Sequence, residues 1–254
     1  MIAITRAISP GLNGCELTYR HREPIDVTRA SVQHDRYEQA LREAGCRVIR
    51  LPADPASPDS VFVEDAAVVL HELAVVTRPG ATSRRGETAA IADALMPYRS
   101  LRRIEEPATL DGGDVLIAGR RVFVGESGRT NTAAIDQLGR ILAPYGYDMR
   151  TVPITGCLHL KSAATLVDER TVLINPERLP SRLFEDFELV QVDPAEPDGA
   201  NVLRINEHVI CPSTYPRTRE RLEQRGVTIL SVDVGELIKA EGAVTCCSLV
   251  FDER

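Results

Sequence analysis

The chain has 254 residues, which is enough for one large domain or two small ones with a substantial apolar core. A net charge of −7 without a basic cluster argues against nucleic acid as a partner, and no apolar run is long and uncharged enough to span a membrane. The N-terminus does not resemble a secretory signal, and the six cysteines lack zinc-site or disulfide-scaffold spacing, so we expect reduced thiols and a cytoplasmic protein.

Hydrophobic periodicity predicts alternating strands and helices along the chain. The first segment contains a strand, a helix ended by Gly45 and a second strand, predicted at Ile2–Ile8, Ala30–Ala44 and Arg47–Leu51. Four β-hairpins follow, predicted within Phe62–Arg78, Val115–Gly125, Ala163–Asn175 and Asn201–Pro212. Helical patterns come after the hairpins, at Thr82–Tyr98, Asn131–Tyr145, Arg178–Phe187 (a weak copy interrupted by Pro180) and Arg217–Gly226. Further strands are predicted at Leu101–Ile104, Met149–Ile154 and Val227–Leu230.

The hairpin–helix–strand unit recurs about every 40 to 50 residues, a period typical of repeat architectures. The first unit lacks one hairpin strand, and the C-terminal segment Ser248–Phe251 would supply it. We therefore expect an α/β fold in which five units form a ring closed by the C-terminal strand. The alternative is an ordinary α+β domain with unrelated hairpins. A doubly wound nucleotide-binding fold fits poorly, because no Gly-rich loop joins a strand to a helix.

Chemically active residues lie just before each hairpin, and equivalent positions of a closed ring meet at its axis. These residues are Asp59, Glu64 and Asp65 in the second unit, Asp111 in the third, His159 in the fourth, Asn201 (in Gly199-Ala200-Asn201) in the fifth, and Cys246 before the closing strand. Neighbouring residues of a strand face opposite sides, so Cys246 and Cys247 are expected to occupy different environments. The sequence thus predicts that a thiol, an imidazole and several carboxylates share one site.

This combination favours attack on a cationic carbon centre. A thiolate is a strong nucleophile, and an imidazole held by a carboxylate can protonate a leaving amine and then activate water. Further carboxylates would hold a guanidinium, and arginines beside predicted helix starts, such as Arg84 and Arg129, would hold a carboxylate. An arginine derivative carries both groups. Taken singly, each of these residues also has an ordinary structural explanation.

The chain resembles the dimethylarginine dimethylaminohydrolases of the pentein, or guanidino-group-modifying, superfamily. The resemblance extends over nearly the whole chain, in family order. It is carried by Asp59-Ser60-Val61-Phe62-Val63-Glu64-Asp65, Thr77-Arg78-Pro79-Gly80, Ser83-Arg84-Arg85-Gly86-Glu87, Leu110-Asp111-Gly112-Gly113-Asp114-Val115, Val124-Gly125-Glu126-Ser127, Arg129-Thr130-Asn131, Leu158-His159-Leu160-Lys161, Tyr215-Pro216-Arg217-Thr218-Arg219 and Thr245-Cys246-Cys247-Ser248.

The resemblance implies a single catalytic domain over residues 1–254, folded as a five-bladed α/β propeller, the pentein fold. It implies a hydrolase that converts Nω-methylated L-arginine to L-citrulline and an amine through a covalent thiouronium on cysteine, with no cofactor and no metal. The implied roles are Cys246 as nucleophile, His159 as general acid and base, Asp111 as its carboxylate partner, Glu64 and Asp65 as guanidinium ligands, Asp59 as α-amino ligand, Arg84 and Arg129 as α-carboxylate ligands, and Leu17 in a flap over the substrate.

Two other functions stay open at this point. One is a related guanidino-modifying enzyme, such as an arginine deiminase or a citrulline- or agmatine-directed hydrolase. Arg84 and Arg129 favour an α-amino acid over agmatine, and the length argues against deiminases with an extra domain. The other is a non-catalytic pentein, which would lack the thiol and imidazole present here. The expected partner is a small-molecule substrate, and the sequence leaves both monomer and homodimer open.

Overall fold

Five three-stranded sheets make up the protein, as seen in a computed structural model that describes residues 1–253. Arg254, the last residue of the predicted domain, lies outside the described residues. The strands are β1 (Ile2–Arg6), β2 (Arg47–Leu51), β3 (Ala67–Val69), β4 (Leu73–Val76), β5 (Ser100–Arg103), β6 (Val115–Ala118), β7 (Arg121–Glu126), β8 (Asp148–Pro153), β9 (Ala164–Leu166), β10 (Thr171–Ile174), β11 (Glu188–Gln191), β12 (Leu203–Ile205), β13 (His208–Pro212), β14 (Thr228–Val232) and β15 (Leu249–Phe251).

Each sheet is one blade built on the same plan. Four blades begin with an antiparallel hairpin, and the second hairpin strand pairs in parallel with a third strand, in the orders β3-β4-β5, β6-β7-β8, β9-β10-β11 and β12-β13-β14. A parallel partner needs a crossover connection, and helices supply most of these. The α-helices are α1 (Val27–Glu43), α2 (Thr88–Leu95), α3 (Thr132–Leu142), α4 (Pro216–Glu223) and α5 (Gly235–Lys239).

The fifth blade joins the two ends of the chain. Strand β1 pairs in parallel with β2 and antiparallel with β15, with Ile2 opposite Phe251 and Ile4 opposite Leu249. The C-terminal strand therefore supplies the hairpin strand that the first unit lacks. The prediction of a five-bladed α/β propeller closed by the C-terminal strand is confirmed, and the ordinary α+β alternative is wrong.

Some predicted elements differ from the structure. The weak helix predicted at Arg178–Phe187 is wrong, because only a 3-10 turn forms there, at Ser181–Phe184, immediately after Pro180. The first predicted hairpin begins later than expected, because Val63–Ala66 is a buried 3-10 turn and not a strand. Helix α5 was not predicted, since its five residues are too short for a periodic signal.

Short 3-10 turns lie at equivalent positions before three of the hairpins and pack against one another. They are Val63–Ala66, Gly112–Asp114 and Leu160–Ser162. The packing is close enough that a Cβ on Gly112 would lie 2.0 Å from the carbonyl oxygen of Glu64, so only glycine fits there. These turns bring the predicted site residues of three blades together. No helix among residues 1–253 has the length and apolar character needed to cross a membrane.

Candidate active site

A narrow cavity lies where the blade turns meet. Its volume of about 20 Å³ is room for about one water molecule. The predicted site residues that line it are Asp59, Asp65, Arg84, Arg129, His159 and Cys246. Asp111 is fully buried behind His159, whereas Glu64 and Leu17 do not line this cavity.

The two adjacent cysteines lie in a turn before β15, not in a strand. Cys246 is partly exposed and its Sγ accepts the N–H of Ala243 at 3.4 Å, while Cys247 is fully buried and packs into an apolar cluster. Their environments differ as predicted, although the turn and not strand alternation separates them. Burial and the negative charges of Glu64 and Asp65 raise the pKa of the Cys246 thiol to about 12. The thiol is therefore protonated at neutral pH in this structure.

His159 lies between two carboxylates at the start of the Leu160–Ser162 turn. Its Nε2 is 3.1 Å from Asp111 Oδ2, and its Nδ1 is 3.8 Å from Asp65 Oδ1. Burial opposes the charged imidazole, but Asp65 and Asp111 outweigh burial and raise the pKa of His159 to about 9. A Cβ on Gly113 would lie 2.6 Å from His159 Nδ1, so the ring occupies space that only a glycine leaves free. The histidine is thus held as an imidazolium at neutral pH.

Asp114 positions the backbone beside the imidazole. Its carboxylate accepts hydrogen bonds from Ser127 Oγ at 2.6 Å, Thr130 Oγ1 at 2.6 Å and the N–H of Leu160 at 2.9 Å. Burial raises the pKa of Asp114 to about 6 despite these donors and the charge of His159. We did not predict a role for this residue. The signal was available, since it is the second carboxylate of the Asp-Gly-Gly-Asp motif.

Arg84 is buried under the cavity and is engaged by protein acceptors. It contacts Asp65 at 2.6 Å, Glu87 at 2.9 Å, and the carbonyl oxygens of Phe62 at 3.1 Å and Asp59 at 3.4 Å. Burial raises the pKa of Asp65, but the imidazole beside it and Arg84 outweigh burial and lower it to about 2. In this closed cavity Arg84 anchors Asp65 as an anion. Its role as an α-carboxylate ligand stays a prediction.

The cavity is lined by both an acidic group, Asp59, and a cationic group, Arg129. Asp59 Oδ2 accepts the N–H of Glu16 at 3.0 Å, and burial raises the pKa of Asp59. Arg129 donates to Thr18 Oγ1 at 3.1 Å, and no carboxylate of residues 1–253 lies within 4.0 Å of its guanidinium. A buried carboxylate and a cation without a carboxylate partner among the described residues, both lining one cavity, suit the ammonium and carboxylate of an α-amino acid.

The remaining two predicted residues lie elsewhere. Glu64 accepts from Lys161 Nζ at 2.6 Å and from Thr245 Oγ1 at 2.7 Å, and these three residues border a separate pocket of about 260 Å³. Both oxygens of Glu64 are thus used within the protein, so its role as a direct guanidinium ligand stays a prediction. The Leu17 side chain packs against an apolar cluster, while its chain neighbours contact the cavity residues.

One group of side chains has the spacing of a metal site. Ligand atoms of Asp65, Asp111 and His159 all lie within 4.8 Å of one another. However, an imidazolium with a pKa of about 9 carries a proton on both ring nitrogens at neutral pH and so has no free lone pair for a metal. The three groups are therefore better explained as a proton-holding cluster than as a metal site.

Comparison with known proteins identifies the family. Residues 16–251 match the family model described as N,N dimethylarginine dimethylhydrolase, eukaryotic. The chain is 37% identical to the N(G),N(G)-dimethylarginine dimethylaminohydrolase of Pseudomonas aeruginosa over 237 residues, covering 92% of this chain and 93% of that protein. It is 41% identical to the Streptomyces coelicolor protein of the same name over 256 residues, covering 99% of this chain and 97% of that protein.

Solved structures agree with the sequence relatives. A cysteine-to-serine variant of the Pseudomonas aeruginosa enzyme in complex with citrulline superposes with a TM-score of 0.92 at 35% identity, covering 98% of each chain. The N-terminal domain of ArgZ, a cyanobacterial arginine dihydrolase, superposes with a TM-score of 0.84 at 19% identity, covering 97% of this chain and 96% of that chain, which shows the shared fold. The protein therefore has the pentein fold and belongs to the dimethylarginine dimethylaminohydrolase family.

Proposed function

We propose that the protein hydrolyses Nω-methylated L-arginines, such as asymmetric dimethylarginine and monomethylarginine, to L-citrulline and dimethylamine or methylamine. The observation that carries the proposal is the cavity itself. It combines a thiol at Cys246, an imidazole at His159 held by a buried carboxylate, and an α-amino-acid-type ion pair site at Asp59 and Arg129. The family membership and the citrulline complex of a relative support the same reaction.

Substrate binding uses the charged groups in and beside the cavity. Asp59 takes the α-ammonium and Arg129 the α-carboxylate. Asp65, fixed as an anion by Arg84, faces the guanidinium, and Glu64 adds negative charge close to the thiol. Glu16 and Thr18 now occupy Asp59 and Arg129, so residues 16–20 must move before the substrate binds these two side chains.

The first half of the reaction makes the covalent intermediate. The bound guanidinium is a cation beside the thiol, so it offsets the carboxylates that raise the pKa of Cys246 and favours the thiolate. The thiol proton leaves to solvent and the thiolate sulfur attacks the guanidinium carbon. His159, already an imidazolium, donates its proton to the departing amine as the carbon–nitrogen bond breaks. A thiouronium on Cys246 and a neutral His159 remain.

The second half releases citrulline. Neutral His159 accepts one proton from water as the water oxygen attacks the thiouronium carbon. The carbon–sulfur bond then breaks, and the remaining hydroxyl proton passes to the departing sulfur, which leaves the ureido group of L-citrulline and restores the Cys246 thiol. Asp111 stabilises the charged imidazole at both stages through the 3.1 Å contact with its Nε2. His159 thus serves as the acid of the first half and the base of the second.

A substrate panel tests the proposal. Citrulline release is measured with asymmetric dimethylarginine, monomethylarginine, arginine and agmatine, for the wild type and for Cys246→Ser and Cys247→Ser. We expect turnover of the methylated arginines, little with agmatine because it lacks the carboxylate for Arg129, loss of activity in Cys246→Ser, and most activity kept in Cys247→Ser. Preferential turnover of unmethylated arginine would point to a deiminase, and equal loss in both variants would contradict the assigned nucleophile.

We also infer a cytoplasmic location and a small-molecule substrate as the principal partner. All six cysteines are free thiols in the structure, and five of them are buried, which suits a reducing compartment. Cell fractionation with an antibody against the protein tests this location.

A further inference from the structure

The side chain of Glu241 binds the backbone of a segment beside the cavity. Its carboxylate accepts the N–H groups of three consecutive residues, Thr18 at 3.0 Å and then Tyr19 and Arg20. Residues 16–20, called the flap below, have no regular secondary structure. Backbone N–H groups outside helices and sheets need other hydrogen-bond acceptors. In the flap, the carboxylate of Glu241 is the acceptor for three of them.

The backbone conformation at Glu241 indicates that its side chain has a role beyond packing. Glu241 follows the end of helix α5 and has a φ of 59°, a left-handed conformation that favours glycine. The N–H groups of Glu241 and Gly242 bond back to Ile238 and Leu237 at 3.1 and 3.0 Å, as at a helix C-terminus. A side chain at such a position costs stability, and packing alone does not explain a partly exposed glutamate there.

The flap also contacts the residues proposed to bind the amino-acid end of the substrate. The N–H of Glu16 bonds Asp59 at 3.0 Å, and Thr18 Oγ1 accepts from Arg129 at 3.1 Å. With these contacts in place the cavity has a volume of about 20 Å³. The flap therefore occupies Asp59 and Arg129, the two residues proposed to bind the amino-acid end of the substrate.

We propose that Glu241 is the latch of the flap, a positioning residue that holds the flap by accepting its three amides, also over a bound substrate whose ammonium and carboxylate have replaced the flap at Asp59 and Arg129. In the open flap, water solvates the carboxylate and the amides; on closure, one side chain replaces that water for the whole segment. Glu241 lines the substrate cavity but is assigned no proton transfer. The role in substrate retention rests on the proposed function, whereas the holding of the flap does not.

The test measures flap opening separately from catalysis. Trypsin cleaves after arginine, and Arg20 and Arg22 lie in and next to the flap, so the cleavage rate there reports its opening. Glu241→Gly removes the carboxylate and relieves the left-handed backbone, so it is expected to fold with an unchanged or raised melting temperature. We expect cleavage after Arg20 or Arg22 to be at least about tenfold faster, since the loss of charge-assisted hydrogen bonds makes opening easier.

Two further variants separate the latch from other roles. Glu241→Gln keeps one acceptor oxygen, so its cleavage rate should lie between those of the wild type and Glu241→Gly. Asp198→Asn weakens the exposed ion pair with Arg20, at 2.6 Å, and should change cleavage by less than about twofold. With methylated arginine, Glu241→Gly should also raise KM more than it lowers kcat.

Each outcome decides one point. Cleavage of Glu241→Gly within twofold of the wild-type rate overturns the latch, whatever the activity. Fast cleavage with no wild-type turnover keeps the latch and rejects the proposed function. A KM effect as large in Glu241→Gln as in Glu241→Gly, with unchanged cleavage in both, would mean that the Glu241 charge contacts the substrate and does not hold the flap.

Discussion

The exchange Asp111→Asn tests how the imidazole is kept charged. Asp111 is fully buried, and its Oδ2 lies 3.1 Å from His159 Nε2, while its Oδ1 accepts the N–H of Gly80 at 2.8 Å. Asparagine has the same shape and can keep the Gly80 contact through its oxygen. Its amide nitrogen would then face Nε2 of His159 and donate a hydrogen bond to the neutral imidazole. The variant therefore favours the neutral imidazole, whereas the wild type favours the imidazolium.

The size of the fall in the pKa of His159 follows from the loss of its hydrogen bond to the Asp111 carboxylate. A hydrogen bond between a carboxylate and a charged donor is worth about 1.5 to 3 kcal/mol, and one pKa unit is about 1.4 kcal/mol. The pKa of His159, about 9 in the wild type, should therefore fall to about 7 or 8 in Asp111→Asn. At pH 7 about half or more of His159 would still be imidazolium, so the larger loss comes from the orientation of the ring and from the charge stabilisation that Asp111 supplies during proton transfer. On both grounds kcat should fall by about 100-fold or more.

The assay is a titration of the histidine side chains by NMR, with His159 assigned from a His159→Gly sample. The buried His34, whose pKa burial lowers to about 4, serves as a control in the same spectra and should keep that pKa. If the pKa of His159 in Asp111→Asn stays within about 0.3 units of the wild type, the carboxylate does not hold its proton and the reasoning is refuted. The rate measurement alone would not distinguish this from misfolding.

Three further results are expected. Arg129→Ala should raise KM by about 10- to 100-fold with a smaller change in kcat, because it removes a charged contact remote from the reacting carbon; an unchanged KM in steady-state kinetics would place Arg129 outside the site. Lys161→Met should lower the free energy of unfolding by about 3 kcal/mol, because Glu64 loses its 2.6 Å partner. In urea unfolding, the double variant with Glu64→Gln should recover much of the lost stability. Additive losses from the two exchanges would show that the pair is not coupled. His34 is fully buried with no hydrogen-bond partner at either ring nitrogen, and burial lowers its pKa from 6.5 to about 4. As the pH drops, the unfolded chain therefore binds a proton at this histidine before the folded protein does. The free energy of unfolding should thus fall between about pH 6.5 and pH 4. Between pH 7 and pH 5 the wild type should lose about 2 kcal/mol more than His34→Leu, and equal losses would contradict this cause.

The fold followed from local patterns because each blade is a local structure. Alternating apolar residues with polar turns specify a hairpin within about 15 residues, and four copies with one missing strand were enough to predict the closure by β15. The 3-10 turn at Val63–Ala66 was missed because its apolar flanks have the composition of a strand. Its shape depends on packing against Gly112, which lies far away in the sequence.

The site was predicted as a set of residues but not as a set of contacts. Equivalent positions in the ring brought Cys246, His159 and Asp65 to one cavity. The partners of Glu64 were not predictable, since Lys161 is 97 positions away and nothing local connects the two. The role of Arg84 had a local clue in Glu87, three residues later on the same turn, where an ion pair commonly forms. Side-chain pairing across blades required the structure.

Direct detection of the covalent intermediate tests the central claim. Enzyme mixed with asymmetric dimethylarginine is quenched in acid within one turnover, digested and analysed by mass spectrometry. The mechanism predicts that the peptide with Cys246 gains the mass of the substrate less dimethylamine. Monomethylarginine should give the identical adduct, because its methylamine is lost instead. An adduct on Cys247, or turnover without any adduct on Cys246 at times when product is forming, would contradict the assignment of Cys246 as the nucleophile.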